Sequence, residues 1–378
     1  MAPRRRVPQP GPVSRPEVVL IERNRPPLLP GTIVAVRPLL PSLLLLLLGC
    51  GAPDRPKVFV TDELSGTLSV IDRDRLLRRS IIELADDAVV LAPHNVQVAP
   101  DGLSVWVTAP PKRTGGGGSP PLDQVVVLDP RTEQVKARLR LGPGLGLAHV
   151  VLDDASRYAF VTAYSADQII QLDAKAFTEV RRYPLKPGRG PHGARVCGDR
   201  LFVANMLGRS LTVVEPGSGF VQEVPLDGVA VQSACTRDGR FVYVSLYDRR
   251  AVVRFEPATG ELVRFPLPAG AQGPIQIYLT PDESRLYVCD QGLNLDRPPS
   301  NKLYELDLAR GQVSATIEVG LGAHGVVVDE RGERVFVTNM AAHTVSVVEV
   351  STRRTIATLP VGQGPSGIAE WHVSGGMR

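Results

Sequence analysis

Residues 334–362 are RVFVTNMAAHTVSVVEVSTRRTIATLPVG. This stretch and the residues just before it contain four short apolar segments, each able to form a strand. Three lie within that stretch, Val335–Thr338, Thr344–Val348 and Thr355–Leu359, and Gly325–Val328 precedes them. The segments run apolar or alternate with polar residues, and polar turn residues separate them. This pattern predicts four short antiparallel strands joined by turns.

The centre of this stretch is an aromatic residue followed by Val and a small residue, and it recurs along the chain. The seven aromatic residues are Phe59, Trp106, Phe160, Phe202, Tyr243, Tyr287 and Phe336. They are separated by 47, 54, 42, 41, 44 and 49 residues. Such a period excludes a heptad repeat and is typical of four-stranded propeller blades.

A second periodic feature confirms the register of the repeat. An apolar run ending in an acidic residue follows each aromatic residue, and these acids are Asp72, Asp129, Asp173, Glu215, Glu256, Asp307 and Glu349. In five units the acid lies 13 residues after the aromatic residue, and in the other two it lies 23 and 20 residues after it. We interpret the acids as turn caps because they recur in every unit.

The segments 335–339, 344–349 and 355–362 together resemble the YVTN-type β-propeller repeat. The resemblance covers residues 57–373 and implies an all-β, seven-bladed propeller of four-stranded antiparallel blades over residues 57–378. It also implies a relation in architecture to the propellers of nitrous oxide reductase and cytochrome d1. The last segment, Gly364–Ala369, is predicted to be the inner strand that completes the N-terminal blade and closes the propeller.

The N-terminal region predicts export. Arg37 precedes the apolar run Leu39–Leu48, which is too short to span a bilayer and suits a signal peptide over residues 34–49. The residues Leu47-Leu48-Gly49-Cys50 resemble the bacterial lipobox, which implies lipidation of Cys50 and a membrane anchor, followed by a linker over 50–56. A cleaved signal with an incidental Cys50 is the alternative. Gly51 implies the outer membrane rather than the inner one.

Residues 1–33 are predicted to be a non-native extension or disordered, because they are dense in Pro and Arg. Residues 1–49 contain seven Arg and two acidic residues, so the remaining 36 basic and 37 acidic residues leave residues 50–378 with a charge of about −1. This balance argues against a nucleic-acid partner.

The other three cysteines form no metal-binding or haem-attachment motif. Cys289 takes the position of the small residue in its repeat and is predicted to be buried. Cys197 and Cys235 are predicted on the inner strands of neighbouring blades. An oxidising compartment would permit a disulfide, but we expected the spacing between blades to prevent it.

Long connections are predicted to gather on one face of the propeller. In a blade with strands A to D, the B–C and D–A loops emerge on the same side. The long ones are Pro110–Leu122 and Gln291–Asn301 between strands B and C, and Ala85–Pro93, Gly142–Ala148 and Lys186–Pro191 between blades. Insertions on one face of a repeat protein usually mark its binding face.

Polar residues are predicted at the start of the inner strands on that same face. They are His94, His149, His192, Gln232, Gln276, His324 and Ser366, with His343 in the last B–C loop. His94, His149, His192 and His324 are the candidate metal ligands, since neutral imidazole is a common ligand. Their distances from the aromatic residue vary between 10 and 12 positions, so a shared orientation requires bulges.

Three functional hypotheses remain open. The first is a non-enzymatic, lipid-anchored module that binds a protein or small molecule on the long-loop face, with no catalytic residue. Its support is the absence of motifs for hydrolysis, calcium loops and covalent haem attachment. The second is a redox or metal-binding protein that holds copper or haem through the histidines. The third is a lactonase-type hydrolase, which would need acidic and amide side chains around a divalent cation.

Overall fold

The computed structural model describes residues 18–19, 54–85, 89–112, 120–372 and 375–376. Cys50 and the predicted signal peptide lie outside the described residues, as does most of the 1–33 segment. Within that segment, Val18–Val19 forms a two-residue strand. Among the described residues, no helix is long and apolar enough to cross a membrane.

The regular secondary structure of the described chain is β-strand apart from two short 3-10 turns. The first half contains β1 Val18–Val19, β2 Lys57–Asp62, β3 Thr67–Asp72, β4 Leu77–Glu83, β5 Asn95–Val98, β6 Val105–Ala109, β7 Leu122–Leu128, β8 Val135–Pro143, β9 Leu147–Leu152, β10 Tyr158–Ala163, β11 Gln168–Asp173, β12 Thr178–Pro184, β13 Pro191–Cys197, β14 Arg200–Asn205, β15 Ser210–Glu215 and β16 Phe220–Pro225. The second half contains β17 Ala230–Cys235, β18 Val242–Leu246, β19 Ala251–Glu256, β20 Glu261–Pro266, β21 Pro274–Leu279, β22 Arg285–Asp290, β23 Lys302–Asp307, β24 Gln312–Glu318, β25 Ala323–Val328, β26 Arg334–Asn339, β27 Thr344–Glu349, β28 Arg354–Pro360, β29 Pro365–His372 and β30 Gly375–Gly376. Two 3-10 turns, η1 Tyr164–Ala166 and η2 Tyr247–Arg249, follow strands β10 and β18.

These strands form seven antiparallel sheets, which confirms the seven-bladed propeller. Blades 2 to 7 begin at strands β5, β9, β13, β17, β21 and β25, each followed by its next three strands, and β1 pairs along the outer edge of blade 2. The inner strands contact those of neighbouring blades and surround a central channel. The predicted strands of the last blade are confirmed, and β25 to β28 extend them by one or two residues at their ends.

The closure of the propeller is also confirmed. Strand β29 from the C-terminus pairs with β2 from the N-terminal side, with Ala369 opposite Phe59. Trp371 on β29 is fully buried, and its Nε1 donates to the Gly102 carbonyl oxygen of blade 2 at 3.0 Å. Both ends of the domain are therefore held in one blade.

The small residue of the repeat joins neighbouring blades. Its hydroxyl donates to a backbone carbonyl of the next inner strand or the residue just before it, over 2.6–3.1 Å: Thr61 to His94, Thr108 to Ala148, Thr162 to His192, Ser245 to Ile275 and Thr338 to Ser366. Cys289 is buried at the same position, as predicted, and its Sγ donates to the Gly325 carbonyl at 3.7 Å. These carbonyls lie at or beside the candidate site residues, so the repeat also positions the site.

The repeated acids are turn caps, as predicted. Oδ1 of Asp72, for example, accepts from the backbone nitrogens of Asp74 and Arg75 at 3.2 and 2.9 Å. Asp129 and Asp173 bind the following turns in the same way.

The expectation that Cys197 and Cys235 stay apart was wrong. They form a disulfide between the last residues of β13 and β17, with their Cα atoms 6.3 Å apart. The inner strands of adjacent blades come close together at the channel, so the spacing between blades is smallest where these cysteines lie. The bond links blades 4 and 5.

Candidate functional site

The starts of the inner strands meet at one end of the channel, the channel mouth, on the side of the B–C and D–A loops. The A–B pairing shifts register near these starts in six blades, for example between Pro191 and Ala194 and between Ala323 and Val326. A bulge of this kind changes the direction of a side chain. The bulges therefore supply this correction for His149, His192 and His324, whereas His94 precedes β5, which pairs with β6 without a register shift.

His94, His149, His192 and His324 form what we call the histidine cluster. The imidazole centroid of His94 lies 5.8 Å from that of His149, 5.4 Å from that of His192 and 6.2 Å from that of His324. The centroids of His149 and His192 are 4.8 Å apart. His94 is partly exposed and the other three are buried, so the cluster can be reached through the mouth.

Backbone carbonyls orient two of the imidazoles. Nδ1 of His192 donates to the Val231 carbonyl at 3.0 Å, and Nδ1 of His324 donates to the Ser366 carbonyl at 3.3 Å. In a neutral imidazole the other nitrogen, Nε2, then carries the lone pair. His192 Nε2 lies 3.4 Å from His94 Nε2 and can accept a hydrogen bond from it when His94 is protonated on both nitrogens.

The two glutamines of the candidate set orient His149. Gln232 Oε1 accepts from the Ser233 backbone nitrogen at 3.0 Å, and Gln232 Nε2 donates to Gln276 Oε1 at 2.7 Å. Gln276 Nε2 therefore faces His149 Nε2 as a donor, at 3.2 Å. These glutamines act on the cluster through hydrogen bonds, so they are positioning residues. An ion bound by His149 Nε2 would take the place of the Gln276 hydrogen bond, because the nitrogen has one lone pair.

Glu63 is a residue of the candidate site that sequence reasoning missed. Its Oε2 accepts from His94 Nδ1 at 3.1 Å, and it follows β2 in the B–C loop of blade 1. Among the seven units, Glu63 is the only acid four residues after the repeat aromatic. This difference from the other six units is the feature of the sequence that could have revealed Glu63. Tyr164 is at the equivalent position in blade 3, with its ring centroid 6.4 Å from that of His192.

The protonation states follow from burial and from Glu63. Burial lowers the pKa of His149 well below its ordinary value, that of His192 to about 3 and that of His324 to about 4, with repulsion from neighbouring imidazoles adding to the effect. Burial also lowers the pKa of His94, but the Glu63 carboxylate outweighs it and the pKa is raised. Near neutral pH the cluster therefore offers neutral imidazoles beside one His94–Glu63 pair.

The remaining candidates do not join the cluster. His343 lies in a left-handed turn with φ 57°, and its Nδ1 accepts from the Gly364 backbone nitrogen at 3.1 Å. Ser366 Oγ donates to the His94 carbonyl at 2.8 Å, so it supports the backbone of the cluster. His372 lies at the opposite end of the channel, with its Nδ1 3.1 Å from Glu330 Oε2.

The arrangement fits a transition-metal ion. Ligand atoms of His94, His149 and His192 lie within 4.8 Å of one another. A tetrahedral ion with metal–nitrogen bonds of about 2.05 Å has ligand nitrogens about 3.3 Å apart. The 3.4 Å between His94 Nε2 and His192 Nε2 nearly equals that distance. His324, the fourth predicted ligand, is not part of this group of three, although its ring centroid lies 6.2 Å from that of His94.

Comparison with known proteins supports the fold alone. No protein-family model matches the chain, and no curated protein matches it. Virginiamycin B lyase from Staphylococcus aureus is similar in structure, with a TM-score of 0.61 and 15% identity, over 77% of this chain and 94% of that chain. The dihydro-haem d1 dehydrogenase NirN has a TM-score of 0.56 and 15% identity, over 83% of this chain and 67% of that chain. A putative 6-phosphogluconolactonase from Bacteroides fragilis has a TM-score of 0.62 and 14% identity, over 84% and 98%.

Proposed function

We propose that this protein is an exported, lipid-anchored β-propeller that binds a divalent transition-metal ion, copper or zinc, at the channel mouth. The observation that carries the proposal is the convergence of three histidines, with ligand atoms within 4.8 Å, from three different blades. Neutral imidazoles suit copper and zinc, and copper has the higher intrinsic affinity of the two. The lipobox-like residues 47–50 support the anchor.

Two features of the cluster support metal binding over a simple polar cap. His192 and His324 donate from Nδ1 to backbone carbonyls, which leaves Nε2 as the nitrogen for the ion. Glu63 binds the far nitrogen of His94, an arrangement common around metal-bound histidines. The lactonase hypothesis has less support, because Glu63 is the only carboxylate bonded to the cluster within the described part of the chain.

The test is titration of metal-free protein with Cu²⁺ and Zn²⁺ against a competing chelator. We expect one tight site in wild type and at least a tenfold loss of affinity in His192→Ala and in His94→Ala. His372→Ala, at the far end of the channel, should bind as wild type does. Equal affinity in all the variants, or no binding tighter than micromolar, would refute the proposal.

The optical spectrum of protein purified from its native compartment tests the haem alternative. A haem or related macrocycle gives intense bands in the visible region, whereas Zn²⁺ gives none and Cu²⁺ bound by nitrogen gives weak ones. Intense visible bands that disappear on removal of an organic cofactor would replace the metal-ion proposal with a haem-binding one.

A further inference from the structure

A second polar feature of the channel lies below the histidine cluster. Strand β13 places Arg195 opposite the repeat aromatic Phe202. The residues at the same register in the other six blades are Gln97, Val151, Ala234, Tyr278, Val327 and Ala369. Arg195 is thus the only charged residue at this level of the channel.

Arg195 has no acidic partner in the described part of the chain. Its Nη1 donates to Gln97 Oε1 across the channel at 3.3 Å, and its guanidinium lies 5.3 Å from the centroid of the Tyr278 ring. Burial lowers the pKa of Arg195 below its ordinary value, and Tyr278 only partly offsets this. Withdrawing a cation from bulk water without a neighbouring anion costs free energy. Charged groups in such unfavourable positions are common at binding and catalytic sites.

Arg195 and Tyr278 line a cavity of about 570 Å³ that we call the lower cavity. It opens on the side of the A–B turns, opposite the histidine cluster. Its volume lies within the roughly 300–1,000 Å³ of ordinary small-molecule sites. The disulfide between Cys197 and Cys235 forms part of its wall.

The rim of the lower cavity has the opposite charge. Asp154, Glu283 and Glu330 line it, and Asp154 and Glu330 are exposed. Glu330 already has cationic neighbours, since it lies 3.3 Å from Arg73 and 3.1 Å from His372. Asp154 and Glu283 form no ion pair in the described part of the chain. Arg237 is exposed on the same rim, and its backbone nitrogen donates to Glu283 Oε1 at 2.5 Å.

Glu370 also lines the cavity but adds little negative charge. It is bonded to Arg73 at 2.6 Å, and both side chains are buried. Burial raises the pKa of Glu370 to about 7, even against the attraction of Arg73. The cavity therefore has a cation without an acidic partner inside. At its opening, the carboxylates of Asp154, Glu283 and Glu330 outnumber the one arginine, Arg237.

We propose that the lower cavity binds a small zwitterionic organic acid, with its carboxylate on Arg195 and its ammonium group at the acidic rim. Arginine binds a carboxylate through two parallel hydrogen bonds, and Arg195 has donors left after its bond to Gln97. A simple anion would be repelled by the rim, and a simple cation would meet Arg195. Only a ligand that carries both charges can bind Arg195 with its anionic group and the acidic rim with its cationic group.

The test uses three probes of equal length: 6-aminohexanoate, hexanoate and hexylamine. Calorimetric titration of metal-free wild type should show 6-aminohexanoate binding at least tenfold more tightly than either of the others. Arg195→Gln should lose that affinity at least tenfold, whereas Arg195→Lys should keep part of it. Because Arg195→Gln removes a half-buried charge that has no acidic partner, its melting temperature should equal or exceed that of wild type.

The rim supplies a second test that does not depend on Arg195. The double variant Asp154→Asn/Glu283→Gln should weaken 6-aminohexanoate and leave hexanoate unchanged or tighter. Binding of 6-aminohexanoate that is unaffected by Arg195→Gln, equal affinity for the three probes, tighter binding of hexylamine or hexanoate, or no binding below about 1 mM would each overturn the proposal.

Discussion

Glu63 and His94 come from neighbouring blades and meet at the channel mouth, with Glu63 Oε2 3.1 Å from His94 Nδ1. A pair with the same 3.1 Å separation, Glu330 and His372, lies at the other end of the channel. Only the first pair adjoins other imidazoles. The two pairs therefore allow the effect of a carboxylate on the cluster to be separated from its effect on a single histidine.

Glu63→Gln should weaken metal binding by about 10- to 100-fold at pH 8, the usual effect of losing a carboxylate behind a metal-bound histidine. The difference from wild type should shrink at lower pH, because Glu63 raises the pKa of His94 and so also favours its proton. Competition titrations at pH 6 and pH 8 measure both effects. Glu330→Gln is the matched control, and an equal loss in that variant would contradict the assignment.

Stability should fall as the pH is lowered from about 6.5, because the unfolded chain then takes up protons that His149, His192 and His324 exclude in the fold. His94 and Glu370 act oppositely, since their raised pKa values give stability that is lost as pH rises. His324→Gln isolates one of the three buried imidazoles. Its stability relative to wild type should increase by roughly 1.4 kcal/mol per pH unit between pH 6.5 and about 4.

Urea unfolding of metal-free protein at several pH values measures this difference. Ser366→Ala is the control, because it changes a neighbour of His324 that does not titrate in this range. Curves for His324→Gln and wild type that stay parallel from pH 6.5 to pH 4.5 would show that His324 takes up its proton in the folded protein.

Replacing both Cys197 and Cys235 by Ser should lower the free energy of unfolding by up to about 4 kcal/mol, because the bond closes a loop with a sequence separation of 38. Cys289→Ser is the control. It should be nearly neutral, since Ser245 fills the same repeat position and makes the same bond to the next blade. A double variant as stable as wild type under oxidising conditions would contradict the disulfide.

Deleting Gly364–Arg378 should abolish cooperative unfolding or lower the melting temperature sharply. The deletion removes β29, exposes the edge of β2 and leaves the blade without the buried Trp371. Removing Met1–Ile33 is the control, and it should leave the melting temperature nearly unchanged, since the part of this segment that the structure describes is the two-residue β1 at the outer edge of blade 2. An unchanged melting temperature after the C-terminal deletion would refute the closure.

Cys50→Ser should abolish incorporation of labelled fatty acid and release folded protein from the membrane. The thiol is the only group of the lipobox-like segment that can carry the lipid. Membrane fractionation with wild type and Cys289→Ser as controls measures the release. Cys50→Ser protein that stays embedded in the membrane would exclude the lipid anchor.

The repeat made the fold predictable. An aromatic-Val-small unit at intervals of 41 to 54 residues specifies strands locally. The first unit has three strands, and a single further predicted strand follows the seventh unit. A four-stranded blade needs neighbours to cover its faces, so seven units imply a closed propeller. The closing strand could be predicted from the same count of strands and blades. The position of each histidine within its repeat also predicted that it lies at the start of an inner strand.

The chemistry of the channel depended on relationships that periodicity does not encode. The bulge between Pro191 and Ala194, for example, changes the direction of the side chains beside it, and the spacing of the repeat does not show where such a bulge lies. Glu63 and Arg195 each break the pattern at one position of seven, yet their partners lie in other blades. The Cys197–Cys235 bond was misjudged for the same reason.

The sequence by itself determined the architecture, the closure and the side of the propeller that holds the histidines, because strand pattern and loop length are local properties summed over repeats. The tertiary structure alone decided which side chains meet. His94, His149 and His192 converge, whereas His343 caps a turn and His372 lies at the far end. The physical reason is that the channel brings residues from separate blades within a few ångströms, and those distances, together with burial, set the charge and the ligand that each end can hold.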